Sequence, residues 1–175
     1  VEPDGVAPVE LRLSDDRLAA TSTERKIGLA LELERLVLAG DRRIVGVESV
    51  EYADGSAAGA IVSTTGVRAT TADTACSLVA YVLGGDGDER TEGFGFGVGR
   101  HPDELDGEEV ARDAVERAVR MLGARPAASQ RLTVVFDPWV TAQFLSIVSE
   151  MFVGDAVVKG RSPFAGRLGE VVAAP

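Results

Sequence analysis

The chain contains one histidine, His101, and one cysteine, Cys76, among its 175 residues. Histidine and cysteine are the residue types that most often act as nucleophiles, acid–base catalysts and metal ligands in proteins. A catalytic zinc normally takes three protein ligands, drawn mainly from His, Cys and carboxylate. One His and one Cys cannot supply such a set, and a site made of carboxylates alone suits magnesium or calcium better. The composition therefore predicts that this chain holds no catalytic zinc. We expect no cofactor in this chain.

Neither residue has the neighbours that catalysis needs. His101 precedes a proline in an extended position, and a lone His without a second ligand favours an exposed surface position. Cys76 lies among apolar residues of a strand-like segment, which favours a buried, inert thiol over a nucleophile. Ser146 has no histidine partner nearby in the sequence, so a Ser-His-Asp site has no support.

A glycine-rich stretch raises the question of phosphate binding. The run Gly-Phe-Gly-Phe-Gly at residues 93–97 does not open a helix and lacks the lysine of a P-loop. The acidic segment at residues 84–89 lacks the EF-hand ligand pattern for calcium. The stretch instead predicts a strand at residues 93–99, beside an apolar strand at residues 74–83, with residues 84–89 as a mobile, solvated loop.

The carboxy-terminal stretch has the most informative spacing. After residue 131 come, in order, a strand-like run at 132–136, Asp137-Pro138, an apolar helical pattern, Gly154-Asp155, Gly-Arg-Ser-Pro-Phe at 160–164 and Leu-Gly-Glu at 168–170. This order resembles the TldD/PmbA peptidase family, also called modulators of DNA gyrase. The resemblance is to the TldE/PmbA-type subunit and covers most of residues 41–175.

The resemblance also shows which residues replace the family's zinc motif. In the zinc-bearing subunit, a His-Glu-x-x-x-His helix lies at a fixed distance before the Gly-Asp pair. Counting back from Gly154-Asp155 places Leu145, Ser146 and Glu150 at the positions of the first His, the Glu and the second His. The resemblance therefore implies that zinc binds only in a TldD-type partner.

Function and site residues follow from the same resemblance. It implies a non-catalytic partner subunit of a TldD/TldE-type zinc peptidase that acts on unfolded peptides, with a homologous TldD-type subunit as partner. Four charged residues of the family-like stretch are candidates for contact with peptide or partner: Glu150, Asp155, Arg161 and Glu170. Ordinary solvated positions are the alternative for these side chains. Whether the chain itself is an enzyme stays open, since an independent hydrolase with catalytic groups in other regions, or a regulatory protein-binding module, would fit as well.

Charge and hydrophobicity narrow the choice of partners. The net charge of -10, with Lys and Arg interspersed among acids, argues against direct binding to nucleic acid. No apolar run approaches the roughly 20 residues that cross a bilayer. A single cysteine excludes an intrachain disulfide and fits a cytoplasmic location. Because family members are longer at both ends, the resemblance implies a middle fragment.

The elements that must position these residues alternate between helix and strand. They predict an α+β fold with a largely antiparallel sheet flanked by helices, a fragment of the PmbA/TldD type. Residues 1–125 are expected to form a helix, an antiparallel strand region and a final capped helix. Residues 126–175 are expected to begin a second region of strand, helix, loop and strand, truncated at its end, with the last strand at residues 170–173.

Local signals set the boundaries in the first region. A helix is predicted at residues 23–38, capped by Ser22 or Thr23 and ending at Gly40, with Ile27, Ala30, Leu31, Leu36 and Val37 on its apolar face. A meander follows, with strands at 44–52, 58–63 and 67–71 and with turns at Asp54-Gly55 and Thr65-Gly66.

Two further helices carry clear start signals. The helix at residues 107–122 has capping-box spacing between Asp106 and Glu109, and Gly123 follows as its C-cap. The next helix begins at Pro138, behind Asp137 as N-cap. Its apolar stripe is expected to pack on the sheet as core: Val140, Phe144, Leu145, Val148, Met151 and Phe152.

Overall fold

The computed structural model describes residues 11–172. The chain divides into two compact units, Val1–Pro126 and Ala127–Pro175. The described part of the first unit contains two α-helices, α1 and α2, two short 3-10 helices and an antiparallel sheet. The elements in chain order are α1 (Thr23–Gly40), β1 (Ile44–Val62), β2 (Arg68–Asp86), β3 (Glu89–Gly99) and α2 (Gly107–Arg120). Within the described residues the sheet has the strand order β1-β2-β3, so each strand pairs with its neighbour in sequence.

Helix α1 begins and ends where its sequence signals predict. The Ser22 hydroxyl accepts a hydrogen bond from the Arg25 N–H at 3.3 Å, which satisfies one of the unpaired donors of the first turn. The helix ends at Gly40, as predicted. Its buried residues are Leu33 and Val37, whereas Ile27 and Leu31 of the predicted apolar face are 54% and 59% exposed. The predicted face was therefore wrong in part.

Strands β1 and β2 form one long hairpin and not the predicted meander. The predicted turn at Asp54-Gly55 is absent because Asp54 stays in register opposite Cys76 and its carboxylate pairs with Lys26 at 2.5 Å. The turn at residues 63–67 does form, with Gly66 at a φ of 95°. The predicted mobile loop at residues 84–89 was also wrong, since strand pairing continues to Asp86 opposite Glu89.

The core of the first unit lies between the helices and one face of the sheet. Alternate residues of β2 point to the same face, and Leu78, Ala80 and Val82 are fully buried there. The helices supply the other side of this core: Leu33 and Val37 from α1, and Val110, Ala111, Ala114, Val115 and Ala118 from α2. The predicted strand at residues 93–99 is confirmed as part of β3, paired antiparallel with β2.

The glycines of β3 let helix α2 approach the sheet closely. A Cβ atom on Gly93 would lie 2.3 Å from the Ala114 carbonyl oxygen, and one on Gly95 would lie 2.0 Å from the Val110 carbonyl oxygen. Only glycine fits where helix backbone meets strand backbone at this distance. Helix α2 itself is capped as predicted, since the Asp106 carboxylate accepts the Glu109 N–H at 2.9 Å.

Between residues 127 and 172 the second unit contains two α-helices joined by a 3-10 turn. They are α3 (Pro138–Ser149) and α4 (Gly154–Val158), with the 3-10 turn at Glu150–Phe152 between them. Asp137 caps α3 as predicted, since its Oδ1 accepts the N–H groups of Trp139 and Val140 at 2.8 and 3.3 Å.

No strand forms in residues 127–172, so the predicted strand at 132–136 was wrong. A β-branched run forms a strand only where another strand supplies its hydrogen bonds, and this range offers none. The strand predicted from Glu170 begins in a bend and continues as coil to residue 172, and Ala173 lies outside the described residues.

The prediction that α3 is a core helix was wrong for this chain. Phe144 and Leu145 are 56% and 57% exposed, and Ser162 is the one buried residue in the range 127–172. Two stacked ring pairs provide local order: Phe136 with Phe144 at 6.2 Å, and Phe152 with Phe164 at 4.5 Å. Helix α3 therefore buries none of its residues within the described part of the chain. No described helix combines the length and the apolarity that crossing a membrane requires.

Candidate functional site

The histidine and the cysteine are both buried in the first unit. His101 is 4% exposed, which contradicts the predicted surface position. Its Nδ1 accepts the Asp103 N–H at 3.2 Å and so caps the 3-10 helix Pro102–Glu104, a structural use that hides the ring. Cys76 is 2% exposed, as predicted, and burial raises the pKa of its thiol. Neither side chain is placed to attack a substrate.

The positions of the family zinc motif lie at the end of α3 and do not fit zinc. Leu145 has no donor atom, Ser146 offers a hydroxyl, and Glu150 alone supplies a carboxylate. Among residues 11–172, no three His, Cys, Asp or Glu side chains lie close enough together to hold a metal ion.

Three of the four predicted site residues line one groove of the second unit. Glu150, Asp155 and Arg161 share a concavity of about 560 Å³, here called the α3–α4 groove. The rest of its lining is apolar: Ile147, Met151, Val153 and Ala156. A mainly apolar lining with a few charged groups is the usual composition of a site that binds a small molecule or a peptide segment.

The end of α4 explains how Arg161 comes to face Asp155. Gly160 takes a φ of 68°, its N–H donates to the Val157 carbonyl at 3.1 Å, and the Arg161 N–H donates to the Ala156 carbonyl at 2.8 Å. This pair of bonds is a Schellman motif, which turns the chain back over the last helical turn. The Arg161 guanidinium then reaches the Asp155 carboxylate at 2.7 Å.

The two carboxylates of the groove differ in their ion pairs: Asp155 pairs with two cations, and Glu150 pairs with none among the described residues. Asp155 also accepts Lys159 Nζ at 2.6 Å, one turn along the same helix. Glu150 has no ion-pair partner within the described range. Since the side chains of Asp155, Lys159 and Arg161 are all more than half exposed, their ion pairs contribute little stability. They can therefore be exchanged for the polar groups of a ligand at small cost.

Ser162 fixes the loop that carries Arg161, a role that was not predicted from the sequence. Its hydroxyl donates to the Met151 carbonyl at 2.6 Å and accepts the Phe164 N–H at 3.0 Å. The available signal was the Ser-Pro pair after Arg161, because a serine before a tight turn often bonds the backbone two residues on.

Glu170 lies away from the α3–α4 groove. Its carboxylate accepts Arg167 Nε at 2.8 Å, and it lines a separate hollow of about 270 Å³ with Phe152, Phe164 and Leu168. The structure thus brings Glu150, Asp155 and Arg161 together and leaves the fourth predicted residue in a different place.

Comparison with known proteins accounts for both units. A family model described as the PmbA/TldA metallopeptidase central domain matches residues 16–122, and one described as the C-terminal domain matches residues 129–175. The chain belongs to the PmbA/TldD metallopeptidase family. The predicted family and the predicted α+β fold of the PmbA/TldD type are both confirmed.

Individual relatives of the PmbA/TldD family give the degree of likeness. A metalloprotease from Methanothermobacter thermautotrophicus is 30% identical over 130 residues, which cover 71% of this chain and 29% of that protein. A protein from Bacteroides thetaiotaomicron, described as a modulator of DNA gyrase, is 26% identical, with a TM-score of 0.86 over 99% of this chain and 39% of that one.

A third PmbA/TldD relative is similar in fold. TldE from Thermococcus kodakarensis superimposes with a TM-score of 0.83 at 21% identity, over 99% of this chain and 39% of that one. At that identity the likeness shows the fold alone. The chain spans less than two fifths of the length of each of these three relatives.

Proposed function

We propose that this chain belongs to a TldE-type subunit that completes a zinc peptidase without supplying the zinc. The observation that carries the proposal is the replacement of the family motif by Leu145, Ser146 and Glu150, the last of which lines a groove with Asp155 and Arg161. The zinc would be bound by a homologous TldD-type partner, and the complex of the two subunits would be the active peptidase.

The α3–α4 groove is the part of the chain that would contact the peptide or the partner subunit. Arg161 offers planar N–H donors that suit backbone carbonyls or a carboxylate, and the open Glu150 carboxylate suits N–H donors or a cationic side chain. The apolar floor at Ile147, Met151 and Val153 would accept side chains of any apolar type. Such a combination suits unfolded peptides, which expose both backbone and apolar residues.

Charge and location are consistent with that role. The net charge of -10 gives no basis for direct contact with DNA, and we assign the protein a protein-binding role instead. We place it in the cytoplasm, where a single unpaired thiol such as Cys76 stays reduced.

The test is reconstitution with the full-length protein and a TldD-type chain. We expect little hydrolysis of an unfolded peptide by either subunit alone, strong hydrolysis by the mixture, and zinc that remains with the TldD-type chain after dialysis. Metal-independent hydrolysis by the purified full-length protein alone would overturn the proposal in favour of an independent enzyme. Stoichiometric zinc in that protein alone would overturn it as well.

Arg161→Ala tests the groove itself. We expect this substitution to lower the activity of the mixture about tenfold, because an arginine at the centre of a contact commonly contributes more than 1 kcal/mol. Glu170→Ala should lower activity too if its hollow contributes. The matched control is Arg131→Ala, since Arg131 is exposed in the same unit and lies outside both cavities. Equal activity of the Arg161 and Arg131 variants would remove the groove from the proposal.

A further inference from the structure

A groove with a floor of leucines lies in the first unit, between helix α1 and the residues that lead into α2. Its volume is about 480 Å³. The floor, which gives it the name leucine groove here, is made of Leu29, Leu33, Leu36, Leu78 and Leu105. Leu33 and Leu78 belong to the buried core, whereas the other three pack against that core and remain partly exposed. Partly exposed leucines of this kind gain free energy when a ligand covers them.

The leucine groove belongs to the closed part of the molecule. All of its residues lie between positions 29 and 108, within the range that matches the central-domain model of the family. Leu33 and Leu78 at its base are each 1% exposed, so the packed core fixes the position of the floor. At Gly107 an added Cβ would lie 3.9 Å from Leu36 Cδ1, which places the start of α2 in contact with α1. The shape of the groove is therefore set by the first unit alone.

The rim of the leucine groove carries charge of one sign. Every charged residue that lines it in the described part of the chain is an acid: Glu32, Asp103, Glu104, Asp106 and Glu108. Glu32 pairs with Arg35, and Asp103 pairs with Arg17 and Arg25, whose side chains are 48% to 65% exposed. Such exposed pairs contribute little and can be exchanged for a ligand's cations. Five carboxylates against three arginines leave an excess of negative charge around the apolar floor.

Floor and rim together select the chemistry of the occupant. The acids do not form a metal site, because no three of the described His, Cys, Asp or Glu side chains come close enough together. A second copy of this chain, with its net charge of -10, would be repelled by the rim. Glu32 lies on α1 and Glu108 on α2, so carboxylates stand on both walls of the apolar floor. A peptide segment with apolar side chains and more than one basic residue matches this arrangement.

We propose that the leucine groove binds a peptide segment of a partner protein in which leucine-like side chains are flanked by Lys or Arg. The apolar side chains cover Leu29, Leu36 and Leu105, and the cationic groups pair with the carboxylates of the rim. Glu104 and Glu108 have no ion-pair partner among the described residues and are the first carboxylates available to such cations. This inference concerns the first unit and does not depend on the proposed peptidase role.

The experiment is an NMR titration of the isotope-labelled 175-residue chain with the peptide acetyl-Lys-Leu-Leu-Lys-amide. We expect the amide signals of the groove residues to shift. Acetyl-Gln-Leu-Leu-Gln-amide should bind at least about fivefold more weakly, because it lacks the cations. Acetyl-Lys-Ser-Ser-Lys-amide should bind at least about tenfold more weakly, because it lacks the apolar side chains. High salt should weaken only the two lysine peptides. No shifts at millimolar peptide, or equal binding of the glutamine peptide, would overturn the proposal.

A pair of double variants separates the rim from the general negative charge of the chain. Glu32→Gln with Glu108→Gln removes one carboxylate from each wall, and we expect the dissociation constant of the lysine–leucine peptide to rise about fivefold. The matched control is Glu34→Gln with Glu116→Gln, which removes the same charge from the same two helices outside the groove. Circular dichroism checks that both proteins keep the wild-type fold. Equal weakening by the two double variants would contradict a site at this groove.

The same titration on the full-length protein distinguishes a partner's peptide from a segment of the protein itself. We expect the lysine–leucine peptide to bind the full-length protein and the 175-residue chain with similar dissociation constants. Binding to the 175-residue chain alone would show that the protein's own chain covers the leucine groove, and the proposal of a partner would then be wrong.

Discussion

Helices α2 and α3 have similar lengths, 14 and 12 residues, but opposite environments. Helix α2 buries Val110, Ala111, Ala114, Val115 and Ala118 against the sheet. Helix α3 buries none of its residues within the described part of the chain. The first unit therefore has a closed core, whereas the second unit has a helix whose apolar surface is open.

The difference follows from where each sequence places its charges. Helix α2 carries seven charged residues, and they leave one apolar stripe that can face only the sheet. Helix α3 has no charged residue, and its polar side chains are the uncharged Thr141, Gln143, Ser146 and Ser149, so its sequence marks a solvent side only weakly. A helix with so little polar surface needs cover from several elements. The apolar pattern of α3 correctly predicts a helix but does not say what covers it.

Leu78→Ala should show the largest effect and would test the closed core of the first unit. Leu78 is 1% exposed at the centre of β2, and truncation removes buried contacts and leaves a cavity. We expect a loss of about 2 to 5 kcal/mol in the free energy of unfolding, measured by urea denaturation. Leu38→Ala is the control, because Leu38 is 52% exposed and its truncation should cost less than about 0.5 kcal/mol. Equal losses would show that this core is not closed.

Gly95→Ala should have the next largest effect, since it tests how α2 closes that core. The added Cβ would lie 2.0 Å from the Val110 carbonyl oxygen, so the helix must move away from β3. We expect a loss of about 1 to 3 kcal/mol in unfolding free energy, typical of an overpacked site. Gly97→Ala is the control, because its Cβ would meet side-chain atoms and no backbone atom: Val110 Cγ2 at 3.1 Å and Leu105 Cδ2 at 4.0 Å. A larger loss in the control would contradict this account of the glycine strand.

Phe144→Ala tests the open surface of the second unit. Phe144 is 56% exposed, so truncation in this chain should cost less than about 1 kcal/mol. In a longer family member where further elements cover α3, the same substitution should cost about 3 to 5 kcal/mol. Denaturation of both proteins by urea makes the comparison. A large loss in the 175-residue chain would show that α3 is packed and would erase the contrast with α2.

Much of the fold could be predicted because local signals and packing agree at those residues. Ser22 and Asp106 cap the helices that their sequence positions predict, and the glycine-spaced run at residues 93–99 forms part of β3 as predicted. The Asp54-Gly55 turn failed because a paired strand and the Lys26 ion pair outweigh a dipeptide preference. The run at residues 132–136 failed because strands depend on partners that a sequence does not name.

The sequence indicated which residues to consider for the candidate site but not how they are arranged in space. The family-like stretch identified Glu150, Asp155 and Arg161, but the positive φ of Gly160 is what turns Arg161 back to Asp155. Nothing in the spacing separates Glu170 from the other three. The burial of Ser162 was not predicted and that of His101 was predicted wrongly, for one reason: a polar residue becomes buried when the backbone supplies its hydrogen bonds, and that depends on the fold.

Asp41→Asn should have the smallest effect, and it tests whether surface ion pairs add to the closed first unit. Hydrogen bonds from the side chain and backbone of Arg43 lower the pKa of Asp41 from 3.8 to about 2. A lowered folded-state pKa stabilises the fold above the unfolded-state value, and that contribution is lost as pH falls from about 4 towards 2. The variant should therefore lose less stability than wild type over this range, in urea midpoints measured at each pH. Because Asp41 is solvent-accessible, the difference should be small and shrink in high salt. Asp88→Asn, in the β2–β3 turn, is the control. Parallel curves of stability against pH for the wild type and Asp41→Asn would contradict a stabilising role for the Asp41–Arg43 pair.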